Sequence, residues 1–106
     1  MELEVLVVPD CPHRQLAEQR LQQALADARL PDTRFTIRVI ADEAEAERSA
    51  FTGSPTILID GRDPFAEPGR PPGLACRIYP TATGLSGAPD ADLLRQALVA
   101  APRPDC

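Results

Sequence analysis

The order of short apolar strands and amphipathic helices predicts an α/β domain, a four-stranded mixed sheet in the order β-α-β-α-β-β-α with flanking helices. Three observations carry this expectation. Two alternating apolar runs, around Val5 and Ile37, are separated by one long helical stripe. A strand–helix–strand unit of that length implies a right-handed crossover and a parallel pair. Two further short apolar runs, separated by a Pro-rich loop, read as a hairpin ahead of a last helix.

The first strand covers Leu3, Val5 and Val7, alternating with Glu2, Glu4 and Leu6 and followed by Val8, and Pro9-Asp10 ends it. Pro12 suits the first position of a helix, where its missing N–H would have had no partner. From there Ala17, Leu21, Ala24, Leu25 and Ala28 form one apolar stripe opposite Glu18, Gln19, Gln22 and Gln23, until Pro31 stops the helix. Phe35, Ile37 and Val39 alternate with Thr36 and Arg38 as a second strand. Asp42 followed three residues later by Glu45 has the pattern of a capping box, which opens a short helix over 43–50. Gly53-Ser54-Pro55 breaks that helix, and Thr56 to Ile59 forms a third strand closed by an Asp60-Gly61 turn. Residues 62–73 hold four prolines and two glycines and form a loop. Leu74 to Tyr79 is expected as a fourth strand, with Leu74, Cys76 and Ile78 on its buried face. Gly84-Leu85-Ser86-Gly87 is expected as a turn, and Pro89 or Asp90 opens a last helix carrying Leu93, Leu94, Ala97 and Leu98. The organisation is one domain over 1–101 with a tail at 102–106.

Composition bounds the function. The chain of 106 residues is large enough for one modest core without disulfide support. Its 43% hydrophobic and 25% charged residues are ordinary for a folded soluble protein. Net charge is -5 and every basic residue is a scattered Arg, so no basic stripe suggests nucleic acid, and the acidic balance disfavours anionic membranes. No apolar run approaches the roughly 18 residues of a membrane span, and Met1-Glu2-Leu3-Glu4 lacks the basic-then-apolar pattern of a secretory signal. The expectation is a cytoplasmic protein with no nucleic-acid or membrane partner. Its three cysteines read there as thiols rather than as a disulfide framework.

Three motifs sit on that framework: Cys11-Pro12 at the start of the first helix, Ser54-Pro55-Thr56 opening the third strand, and a Gly-containing turn before the last helix. Together with the element order, and over roughly Leu3 to Ala100, they resemble the thioredoxin/glutaredoxin superfamily in its small bacterial forms. The resemblance implies a thioredoxin-like fold and a cis proline at Pro55, whose preceding backbone pairs with a peptide or glutathione held against the reactive thiol. The family's motif is Cys-x-x-Cys or Cys-x-x-Ser, whereas here it is Cys11-Pro12-His13-Arg14, without a resolving thiol. Ser86-Gly87-Ala88-Pro89-Asp90 only partly matches the family's glutathione-binding turn, and no basic residue stands shortly before Cys11.

The residues also point to chemistry on their own account. With Pro12 as the first helical residue, Cys11 is expected at the N-cap, its sulfur accepting from the N–H of His13 or Arg14. The helix dipole and the Arg14 cation then favour thiolate over thiol, with Asp10 opposing them. Cys11 is the candidate nucleophile, with Arg14 and Pro55 beside it in the catalytic set. Pro12, His13, Ser54, Ser86 and Gly87 are the candidate substrate-binding residues. No bound cofactor or metal is expected; the partners are small thiols or protein disulfides, a low-molecular-weight thiol acting as co-substrate. Cys76, as a core residue, is placed too far from Cys11 for a disulfide, though it stays a candidate second thiol. Cys106 reads as an exposed terminal thiol. Two alternatives stand beside a monothiol oxidoreductase or thiol carrier. One is a redox-silent binding module that contacts partners through its sheet edge or Pro-rich loop. The other is a soft-metal or organomercurial handler using Cys11 and Cys76.

Overall fold

The computed structural model describes residues 1–100; the tail and Cys106 lie outside the described residues. The element order is β1 (Leu3–Val7), α1 (Arg14–Asp27), β2 (Phe35–Val39), α2 (Glu43–Arg48), β3 (Thr56–Ile59), β4 (Tyr79–Thr81), β5 (Gly84–Ser86) and α3 (Ala91–Ala100). The α/β class holds. Strands β1, β2 and β3 fall within the expected segments, and β1 pairs parallel with β2 as the crossover requires. The expected single four-stranded sheet is not formed: there is a three-stranded sheet in the order β2-β1-β3 and a separate two-stranded ribbon, β4-β5.

The core lies on both faces of the larger sheet. Leu3, Val5 and Val7 of β1 and Ile57 and Ile59 of β3 project to one side, against Ala17, Leu21, Ala24 and Leu25 of α1 and Leu94 and Leu98 of α3. Leu6 projects to the other side, into a smaller cluster with Ile40, Ala46 and Phe51. A central strand buried on both faces reads as a nearly continuous apolar run, which is why Leu6 interrupts the alternation in the sequence.

Both helix ends in the first half are set by backbone geometry. Helix α1 ends before Pro31, in a Schellman motif: Arg29 takes φ 62°, its N–H reaches the Ala26 carbonyl (3.1 Å), and the Leu30 N–H reaches Leu25 (2.7 Å). Helix α2 repeats the device, with Ala50 at φ 52° and the Phe51 N–H on the Ala46 carbonyl at 2.8 Å. At its other end the Asp42 carboxylate accepts from the Glu45 N–H (2.8 Å), while the Glu45 carboxylate accepts from the N–H of Ala41 (3.2 Å). This is the expected capping box with its return bond displaced by one residue.

The second half departs from expectation at two places. The segment 74–78 is not a strand; β4 begins only at Tyr79 and pairs with β5, which occupies the residues expected as a turn, while Ala82 and Thr83 make the turn instead. The burial of 74–79 is also inverted: Arg77 and Tyr79 are buried, whereas Cys76 and Ile78 are exposed. The cause is a buried ion pair. Arg77 donates to Asp63 (2.6 Å) and to Thr56 Oγ1 (3.2 Å), and its guanidinium also reaches the Phe65 carbonyl. These partners satisfy the charge at 2% exposure, so the arginine turns inward and its neighbour Cys76 turns out. Among the described residues no helix is long and apolar enough to cross a membrane.

Candidate functional site

The antiparallel register of β1 and β3 builds the site. Leu3 faces Ile59 and Leu6 faces Thr56. Two residues beyond that last pair, the end of β1 meets the loop before β3, and the Val8 N–H donates to Ser54 Oγ at 3.0 Å. Asp10, at φ 57°, turns the chain back, and the Ser54 hydroxyl donates to Cys11 Sγ at 3.0 Å. Ser54 is fully buried and Cys11 is partly exposed. One hydroxyl therefore joins the end of β1, the loop before β3 and the sulfur.

The Ser54–Pro55 peptide is cis. Its surroundings are fixed from several directions: the Thr56 hydroxyl donates to the Gly53 carbonyl (2.6 Å), and the buried Tyr79 hydroxyl donates to the Pro55 carbonyl (2.5 Å). Arg77 lies 4.6 Å from the Tyr79 ring centroid, and Phe65 meets the same ring edge-on at 5.8 Å. Burial pushes the Tyr79 phenol well above its usual ionisation range; the neighbouring Arg77 charge pulls the other way and is outweighed. Gly53 has φ 149°, and a Cβ there would stand 2.9 Å from Arg77 Cβ and 3.2 Å from the Ala75 carbonyl. Only glycine suits that backbone and that close approach.

Three sequence expectations about Cys11 are corrected. It is not the N-cap: α1 begins at Arg14 with His13 as N-cap, and Pro12 lies in the preceding turn, where the Arg14 N–H reaches the Cys11 carbonyl at 3.3 Å. The sulfur accepts from a side-chain hydroxyl rather than from the helix N–H groups. Arg14 does not serve it as a cation either, since the guanidinium pairs along the helix with Glu18 at 3.3 Å.

The loop after β5 closes the site. Arg20 on α1 donates to Ser86 Oγ (3.0 Å) and to the carbonyls of Ala88 (2.8 Å) and Pro89 (3.4 Å). These bonds hold the loop on the helix, and the Ser86 hydroxyl is thereby engaged. Gly87 has no side chain because the His13 ring lies against it; a Cβ there would be 2.4 Å from the imidazole Cγ. The structure thus joins Cys11 to Ser54, Pro55 to Tyr79, and His13 to Gly87, and turns Arg14 outward.

Cys76 is the largest revision. It is exposed rather than buried. Nor is it remote from the site, because it is the parallel bridge partner of Ser54. The Ser54 N–H donates to the Ala75 carbonyl at 3.0 Å and the Arg77 N–H donates to the Ser54 carbonyl at 2.9 Å. The Ser54 backbone, expected to pair with a bound peptide, is paired with the chain's own residues. Among the described residues no group of three or more His, Cys, Asp or Glu is gathered to hold a metal ion.

Sequence reasoning passed over Arg20, Arg77 and Tyr79. A lone arginine amid apolar neighbours, two residues before the only tyrosine, was the one available signal, and its meaning depends on Asp63, 14 residues away. Comparison with protein-family models, curated proteins and solved structures finds no significant match to this chain.

Proposed function

We propose that this protein is a thioredoxin-like thiol–disulfide exchange protein in which Cys11 is the nucleophile and the Ser54–Pro55 loop its platform. The observation that carries the reading is the 3.0 Å bond from a fully buried serine hydroxyl to a partly exposed cysteine sulfur. The bond fixes the sulfur's position beside Ser54, and the thiolate is the form of a cysteine that exchanges with disulfides. The Cys11 thiolate would attack a disulfide, forming a mixed disulfide and releasing one thiolate of the attacked pair.

The substrates are disulfides of small thiols or of proteins. The guanidinium groups of Arg20 and Arg77 are committed to Ser86–Pro89 and to Asp63. The site therefore offers little to a thiol recognised mainly through its carboxylates.

The test is exposure of the full chain carrying Cys76→Ser, so that the other thiol among the described residues cannot intervene, to oxidised glutathione, followed by mapping of adducts by mass spectrometry. The expected result is an adduct on Cys11 that forms at least tenfold faster than on Cys106, and its loss in Cys11→Ser. Equal rates at the two thiols, or no Cys11 adduct, would overturn the reading in favour of a redox-silent module.

A further inference from the structure

The Cys11 motif lacks its own second thiol, yet the chain after the Pro-rich loop pairs a second cysteine, Cys76, with Ser54, the residue bonded to the Cys11 sulfur. We propose that Cys76 resolves the mixed disulfide on Cys11, giving a reversible Cys11–Cys76 disulfide within one chain. This rests on the exchange chemistry assigned above to Cys11.

Ser54 is the common neighbour. Its hydroxyl touches the Cys11 sulfur at 3.0 Å, and its backbone is paired on both sides of Cys76. Bridge partners lie about 5 Å apart between Cα atoms and carry their side chains on the same face. Cys76 is exposed because Arg77, its neighbour, takes the inward position. Cys76 is thus an exposed thiol on the backbone partner of the residue whose hydroxyl holds the Cys11 sulfur.

Bond formation requires the Cys76 sulfur to move into the place beside Cys11 now held by the Ser54 hydroxyl, since bridged cysteines need Cα atoms within about 7 Å. The strip's backbone is held by the two Ser54 bonds and by the buried Arg77–Asp63 pair, so the movement falls to the exposed Cys76 side chain, which shares the face of Ser54. Ser54 is then released from Cys11 while keeping the Val8 N–H as its donor.

The electron count closes with a disulfide, RSSR, as oxidant. Cys11 thiolate attacks RSSR, the Cys11–SR bond forms and RS⁻ leaves. Cys76 thiolate then attacks Cys11 Sγ, the Cys11–Cys76 bond forms and the second RS⁻ leaves. Two protein thiols are oxidised and one RSSR is reduced to two RSH, each RS⁻ taking up a proton released by a protein thiol.

The experiment uses the full chain with Cys106→Ser, treated with oxidised glutathione, quenched by alkylation and digested with trypsin. The expected product is a link between the peptides ending at Arg14 and Arg77, lighter than the two reduced peptides by two hydrogens, in protein that remains monomeric on a non-reducing gel. In Cys76→Ser/Cys106→Ser the reaction should stop at the glutathione adduct on Cys11, accumulating at least tenfold above its level with Cys76 present. An adduct that persists equally with and without Cys76, or a link only between two chains, overturns the resolving role while leaving Cys11 as the nucleophile. Absence of any adduct on Cys11 in both proteins overturns the nucleophile and the resolving role together.

Discussion

Raising the pH tests how tightly the platform loop is held, because the chain has one tyrosine and no lysine. Above about pH 10 the Tyr79 phenol is then the main side chain left to titrate below arginine. In the native protein burial holds it neutral, with its hydroxyl on the Pro55 carbonyl at 2.5 Å. In the unfolded chain it ionises near the ordinary value of about 10. The native group is raised, so its contribution to stability is intact below about pH 10 and is lost as pH climbs from there toward the higher native value. The slope is about 1.4 kcal/mol per pH unit once the unfolded phenol is ionised, so about 1.4 kcal/mol is lost by about pH 11. Urea unfolding at a series of alkaline pH values measures that slope, and the near-ultraviolet phenolate absorbance reports on the group directly. Below the unfolding transition the phenolate band should be absent at about pH 11, and Tyr79→Phe should flatten the slope. A native protein showing half its phenolate absorbance near pH 10 would refute the account of the Pro55 platform as a buried, hydrogen-bonded unit.

Arg77→Met should destabilise by about 3–5 kcal/mol, because the 2.6 Å bond to Asp63 is lost and a carboxylate only 14% exposed is left without its partner. Chemical denaturation measures this, and adding Asp63→Asn should restore part of it. Gly53→Ala should cost about 1–3 kcal/mol through positive φ and contact with Arg77 Cβ, with thermal unfolding as the readout. Ala50→Gly should stabilise by about 0.5–1 kcal/mol, since Ala50 holds the left-handed position that ends α2; an unchanged melting temperature would contradict the Schellman assignment. Ser54→Ala should lower the rate of Cys11 alkylation and destabilise by about 1–3 kcal/mol, as the part-buried Val8 N–H loses its acceptor; circular dichroism melts and timed alkylation separate the two effects.

The features legible in the chain are local. Period-2 alternation at Leu3–Val7 and Phe35–Val39, the apolar stripe of α1 and the Asp42–Glu45 cap are written in neighbouring residues, so each could be read without the rest of the chain. Cys11 and Ser54 stood out as residue types beside prolines, but the bond between them exists only because the β1–β3 register brings the two loops together across 43 positions. The same physics explains the failures. Whether residues 74–78 bury Cys76 or Arg77 depends on a carboxylate at position 63 that can neutralise a buried guanidinium, and alternation of apolar residues carries no information about that partner. Whether Arg14 faces the thiol depends on Glu18 one turn along, which offers an exposed and easily satisfied alternative. The company each side chain keeps is set by folding as a whole, since pairing across loops follows register and charge compensation between distant segments.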